Sequence, residues 1–101
     1  MGFFNALFGN KEQRIKDLKH RGAIIIDVRT RAEYGEGAIE GSKNIPLQIL
    51  STKVDDIKKL NKPIITCCAS GMRSARAASI LKHHGIESFN GGGWMALKHM
   101  L

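Results

Sequence analysis

The sequence predicts an α/β fold: a small parallel β-sheet flanked by helices on both faces, as a single domain over residues 1–101. Three observations point there. Ala23–Val28 and Pro63–Cys67 are short, continuous apolar runs rich in β-branched residues, the pattern of strands buried on both faces. Segments of helical periodicity lie around and between them, so strands alternate with helices. Both runs carry polar or reactive residues, Asp27-Val28-Arg29 and Cys67-Cys68, to a strand's carboxyl end, where open parallel sheets place their sites.

Each element has a local reason. Residues 11–21 read as a helix, with Ile15 and Leu18 on one face, charges elsewhere and Gly22 placed to end it. Thr30 and Glu33 have the spacing of a capping box, which starts a short helix. Gly35, Gly37 and Gly41 mark a turning loop, and Asn44-Ile45-Pro46 a brief strand and its stop. Leu47, Leu50, Val54, Ile57 and Leu60 recur at helical spacing, as one short and one longer helix. A helix over 74–84 is expected to turn Ala75, Ala78 and Leu81 inward, together with Ala77 and Ile80, and to end at Gly85. A strand over 86–89, a turn at Gly91-Gly92-Gly93 and a helix over 94–101 complete the chain. The apolar segment 1–10 lacks a basic n-region and has Ala6 where a myristoylation pattern needs Ser or Thr. Its phenylalanines, Phe3, Phe4 and Phe8, are read as covering one edge of the core, with a docking handle as the alternative.

Composition narrows the partners. The net charge of +7 favours anions. The positive residues are scattered, without a dense basic run or an aromatic pair set for base stacking, which favours small anions and no nucleic acid. No apolar run approaches the about 20 residues of a transmembrane segment. Two adjacent cysteines make no disulfide framework, and His20, His83, His84 and His99 have no ligand spacing, so no metal is expected. A reducing, cytoplasmic location follows as the simplest expectation.

The chemistry concentrates in Cys67-Cys68-Ala69-Ser70-Gly71-Met72-Arg73-Ser74, where a strand ends and a helix begins. Loop amides after Cys68 can converge on one anion, and the starting helix adds its positive end. Arg73 adds a full charge. Such surroundings lower a thiol's pKa, and the thiolate is the nucleophile, so no adjacent histidine is needed.

Several motifs in order resemble the rhodanese (sulfurtransferase) family in its stand-alone form: Asp27-Val28-Arg29 with Glu33-Tyr34, Gly37 to Pro46, Cys68-Ala69-Ser70-Gly71-Met72-Arg73-Ser74, and Gly92-Gly93-Trp94. Together they span about residues 22 to 97. Ala38 stands where the family often has histidine, and Ser42 where it often has alanine; both are read as scaffold. The resemblance implies that Cys68 takes a sulfane sulfur from thiosulfate or a related anionic donor as a persulfide, without a cofactor. Ala69, Ser70, Gly71, Met72 and Arg73 would bind the substrate, with Arg73 positioning the anionic donor and the Ser70 hydroxyl reaching the sulfur. Cyanide, a thiol or a protein would accept it. Asp27 and Arg29 would brace the loop, or Arg29 would form a plain surface bridge to Glu33; Tyr34 and Trp94 read as core.

The adjacent cysteines allow two countings. Phosphatases and arsenate reductases of the same superfold have five residues between cysteine and arginine, the spacing of Cys67 from Arg73. Rhodaneses have four, the spacing of Cys68. Gly71 falls at the rhodanese offset from Cys68, and Thr66 stands where the phosphatase pattern usually has histidine. The comparison favours sulfur transfer through Cys68, with phosphatase chemistry and a binding or sulfur-carrier module as alternatives.

Overall fold

The computed structural model describes residues 10–101. Its elements in chain order are α1 (Asn10–His20), β1 (Ile24–Asp27), α2 (Arg31–Gly35), β2 (Lys43–Asn44), a 3-10 helix (Leu47–Lys53), α3 (Val54–Lys59), β3 (Ile64–Cys68), α4 (Met72–His83), β4 (Ser88–Gly93) and α5 (Trp94–Met100). The apolar segment read as a core edge falls almost entirely outside the described residues.

The four strands form one sheet in the order β2-β1-β3-β4, every pair parallel. β1 and β3 are central, as their unbroken apolar runs require. Side chains alternate across the sheet. Ile26, Val28, Ile64 and Cys68 pack with Leu50, Val54 and Ile57 and with Ala77 and Leu81 of α4. Ile25, Ile65 and Cys67 face the other way, onto Ile15 and Leu18 of α1 and Leu97 of α5. Helices therefore cover both faces, and the two cysteines look out on opposite sides.

Local signals held at several ends. Gly22 closes α1 at φ +85°. Thr30 and Glu33 form the reciprocal capping box, the Thr30 hydroxyl accepting from the Glu33 N–H and Glu33 Oε1 accepting from the Thr30 N–H at 2.9 Å.

Elsewhere tertiary contacts moved the boundaries. The 47–60 stretch is two helical pieces, as expected, but the first is a seven-residue 3-10 helix and the second is only six α-helical residues. α4 begins at Met72, two residues earlier than expected, and turns Ser74, Ala77, Ala78 and Leu81 inward; Ala75 is exposed. β4 is Ser88–Gly93 and not the expected 86–89, so the triple glycine is strand and not turn. Pairing explains this: Cys68 lies opposite Gly93, with a bulge between Thr66 and Cys68. Only a residue without a side chain fits at Gly91, where a Cβ would lie 2.8 Å from both Ile65 Cγ2 and the Thr66 carbonyl oxygen.

Candidate active site

β3 carries Cys68 to the sheet's carboxyl edge, and α4 starts four residues later. Gly71 caps that helix at φ +101°, a left-handed conformation, and a Cβ there would meet Gly92 Cα at 3.2 Å. This bend returns the chain over the sulfur. The Gly71 N–H donates to Cys68 Sγ at 3.0 Å, and the Ser74 hydroxyl lies 3.4 Å from it.

These contacts set the thiol's state. Burial pushes the Cys68 thiol up, but the Ser74 hydroxyl and the N–H groups of Ser74, Gly71 and Ser70 outweigh it, leaving the pKa below its ordinary value. Cys67 goes the other way. Burial, and then the neighbouring Asp27 carboxylate, push it up to about 12. One cysteine is held for ionisation and its neighbour is kept protonated, because alternation sends them to different surroundings.

The remaining expected residues distribute unevenly. Ala69 and Ser70 are exposed at the loop's crest, and Met72 is 81% exposed. The side-chain hydroxyl at the sulfur belongs to Ser74, not Ser70, because the helix starts early and turns Ser74 inward. Arg73 does not point at the sulfur's donors; its Nη1 and Nη2 donate to Glu33 Oε1 and Oε2 at 2.8 and 3.0 Å. Arg73 and then the Thr30 N–H hold the Glu33 carboxyl at about 2.

Asp27 and Arg29 lie beside the loop but do not bond to it. Arg29 is 4% exposed, which overturns the surface bridge to Glu33. Its Nε and Nη2 donate to the Asp27 carboxylate at 2.7 to 3.0 Å, and Nη2 and Nη1 donate to the carbonyls of Gly37 and Glu33. The bracing is thus indirect: Arg29 fixes the backbone of Glu33, and Glu33 fixes Arg73. Trp94 stacks on the Arg29 guanidinium at 4.7 Å and packs against the α1–α5 core. Tyr34 donates to the Ser42 carbonyl at 2.7 Å.

Two more residues complete the site without a sequence signal of their own. Asn90 on β4 accepts from the Ser74 hydroxyl at 2.7 Å and the Gly92 N–H at 2.9 Å, and donates to the Gly71 carbonyl at 3.2 Å. Thr66 donates to the Ser74 carbonyl at 2.8 Å. Among the described residues, no cluster of His, Cys, Asp or Glu could hold a metal ion, and no helix is long and apolar enough to cross a membrane.

A family model described as the rhodanese-like domain matches residues 11–99. The chain belongs to the rhodanese-like family. An uncharacterized protein of Bacillus subtilis, YqhL, is 38% identical over 72% of this rhodanese-like chain and 60% of its own length. A sulfurtransferase of Allochromatium vinosum is 29% identical over 72% of this chain and 65% of its own length. The chain therefore matches less than two thirds of either relative. A rhodanese-related protein from Thermoplasma volcanium has the same fold, with a TM-score of 0.69 and 30% identity over 84% of this chain and 86% of that one.

Proposed function

We propose that the protein is a sulfurtransferase that works through a persulfide on Cys68. The observation that carries the reading is the Cys68 sulfur at the start of α4, met by the Gly71 N–H and the Ser74 hydroxyl and held below the ordinary thiol pKa. A thiol whose pKa is lowered in this way yields its thiolate nucleophile more readily and needs no separate base. It attacks the outer sulfur of a sulfane donor. The donor's S–S bond breaks as the Cys68 S–S bond forms, and the bonding pair leaves with the donor remnant; from thiosulfate that remnant is sulfite. The loop amides from Ala69 to Arg73 cradle the new outer sulfur. A thiophilic acceptor, cyanide in an assay or a small or protein-borne thiol in the cell, then takes that sulfur and regenerates the thiolate. No organic cofactor enters this scheme, and both cysteines are free, which suits a reducing compartment such as the cytoplasm.

Intact mass after treatment with a sulfane donor tests this directly. The wild type and Cys67→Ser should each gain one sulfur atom, and Cys68→Ser should gain none. Equal loss in both variants would refute the assignment to Cys68. Turnover of an aryl phosphate with no sulfur adduct would establish the phosphatase alternative instead. Retention of sulfur with no release to cyanide or small thiols would favour a carrier that serves a protein acceptor.

A further inference from the structure

The hydroxyl beside the sulfur has a choice of acceptor. Ser74 is fully buried, and its Oγ lies 2.7 Å from Asn90 Oδ1 and 3.4 Å from Cys68 Sγ. A hydroxyl has one proton to donate, so the two acceptors compete for it. The backbone around Asn90 fixes which way its amide faces. The Gly92 N–H can only donate and lies 2.9 Å from Oδ1; the Gly71 carbonyl can only accept and lies 3.2 Å from Nδ2. Oδ1 therefore faces Ser74, and an amide oxygen has no proton of its own. The Ser74 hydroxyl must be the donor of that short contact, and the sulfur is left with a weak second one.

Turning the proton to the sulfur would leave the Ser74 and Asn90 oxygens 2.7 Å apart with no proton between them. The Thr66 hydroxyl, donating to the Ser74 carbonyl at 2.8 Å, holds the serine in place between its two acceptors. The charged groups around the sulfur are Arg73 of α4, with Glu33 of α2 on it, and the Asp27–Arg29 pair that follows β1; Cys67 stays protonated. The 3-10 helix and α3 contribute only the apolar Leu50, Val54 and Ile57 to the core around it. None of these competes for the Ser74 proton.

Resting on Cys68 as the nucleophile, we propose that Asn90 is a positioning residue for the reaction: it holds the Ser74 proton away from the Cys68 sulfur, so that backbone N–H groups carry the thiolate's hydrogen bonding. A thiolate attacks sulfur less strongly as added hydrogen bonds lower its pKa. Asn90 thus leaves Cys68 able to ionise on the loop amides without blunting its attack.

A double-mutant cycle over Asn90→Leu and Ser74→Ala tests this, read as the pH profile of Cys68 alkylation by iodoacetamide, with far-UV circular dichroism and thermal midpoints alongside. In Asn90→Leu the Ser74 hydroxyl has the sulfur as its acceptor. The alkylation midpoint should fall by about one pH unit, the size of one hydrogen bond to a charge, and the high-pH plateau should fall with it. The Gly71 carbonyl still accepts from the Ala75 N–H at 3.0 Å in that variant, which keeps the loop on its helix. With Ser74→Ala as background, Asn90→Leu should move the midpoint by less than about 0.5 pH unit. A merely structural role for Asn90 would loosen the loop and raise the midpoint in both backgrounds. That result, an unmoved midpoint in Asn90→Leu, or a fall of equal size in both backgrounds overturns the inference. If Asn90→Leu fails to fold, Ser74→Ala alone decides. Its midpoint should rise by less than about 0.5 pH unit while Asn90 holds the proton, and a larger rise overturns the inference. Iodoacetamide reports the thiolate whether or not sulfur is transferred, so a protein that takes up no sulfur refutes the sulfurtransferase reading and not this one.

Discussion

Arg29→Met is expected to be among the most damaging single changes next to the site. Asp27 is fully buried, and among the described residues Arg29 is its salt-bridge partner, through Nε and Nη2 at 2.7 to 3.0 Å. Removing one partner of a buried pair costs about 3–5 kcal/mol, since the other charge is left uncompensated. The Arg29 backbone N–H still donates to Asp27 Oδ1 at 3.0 Å in the variant, which places the loss at the low end, about 3 kcal/mol. For a domain of this size each kcal/mol lowers the midpoint by about 4–8 °C, so the fall should be about 12–24 °C. Urea and thermal unfolding followed by far-UV circular dichroism would measure it. A loss below about 1 kcal/mol, the value of an exposed pair, would refute the account of Arg29 as a buried tether. The double change Asp27→Leu with Arg29→Met should recover much of the loss, because a well-packed apolar replacement of a buried pair is often neutral or better. Failure to recover would assign the damage instead to the carbonyls of Glu33 and Gly37 left without their donor.

The site and the sheet each carry further expected outcomes. The Ser74 hydroxyl has one proton, which goes to Asn90 Oδ1 at 2.7 Å and reaches Cys68 Sγ, 3.4 Å away, only as a weak second contact, so Ser74→Ala should slow iodoacetamide alkylation only modestly. Because the Cys68 pKa is depressed in the fold, the thiolate's contribution to stability is present above the unfolded-state value and lost as pH falls through the folded one. Ser74→Ala should move the fall in alkylation to higher pH, and an unshifted profile would remove Ser74 from the account. At pH 8 only one thiol should react, since Cys67 titrates at about 12. Gly91→Ala places a Cβ 2.8 Å from the Thr66 carbonyl oxygen and should cost about 1–3 kcal/mol in urea unfolding; an unchanged midpoint would contradict the close approach of β4 to β3.

Much of the fold was legible because its signals are local. The apolar runs at 24–27 and 64–67 announce strands buried on two faces, and parallel pairing at their centre follows from that burial. The capping box at Thr30 and the glycine after α1 act within a few residues, so they need no knowledge of the rest of the chain. Where the reading missed, a distant partner decided. The triple glycine reads as a turn by composition, yet β3 draws it into the sheet because only glycine tolerates the approach at Gly91. Of the five residues expected to face inward on α4, Ala77, Ala78 and Leu81 are buried but Ala75 is not: the helix starts at Met72 and turns Ser74 inward, where it meets both Thr66 and Asn90.

The same division runs through the site. The sequence alone determined which segment holds the sulfur we propose as the nucleophile: an apolar strand, two cysteines, a glycine that can bend left-handed and a helix start are all contiguous. Strand alternation, a local rule, also separates the cysteines, since neighbours in a strand face opposite sides of the sheet. Only the tertiary structure decided what each sulfur meets there: amide donors and a serine hydroxyl for Cys68, and a buried carboxylate for Cys67. It also decided what Arg73 does. Glu33 lies forty residues away in sequence, and only the packing of α2 beside the loop brings its carboxylate within 2.8 Å of that guanidinium. Hydrogen bonds and ion pairs form over a few ångströms of space, so a charge whose partner is distant in sequence reveals its role only once the chain has folded.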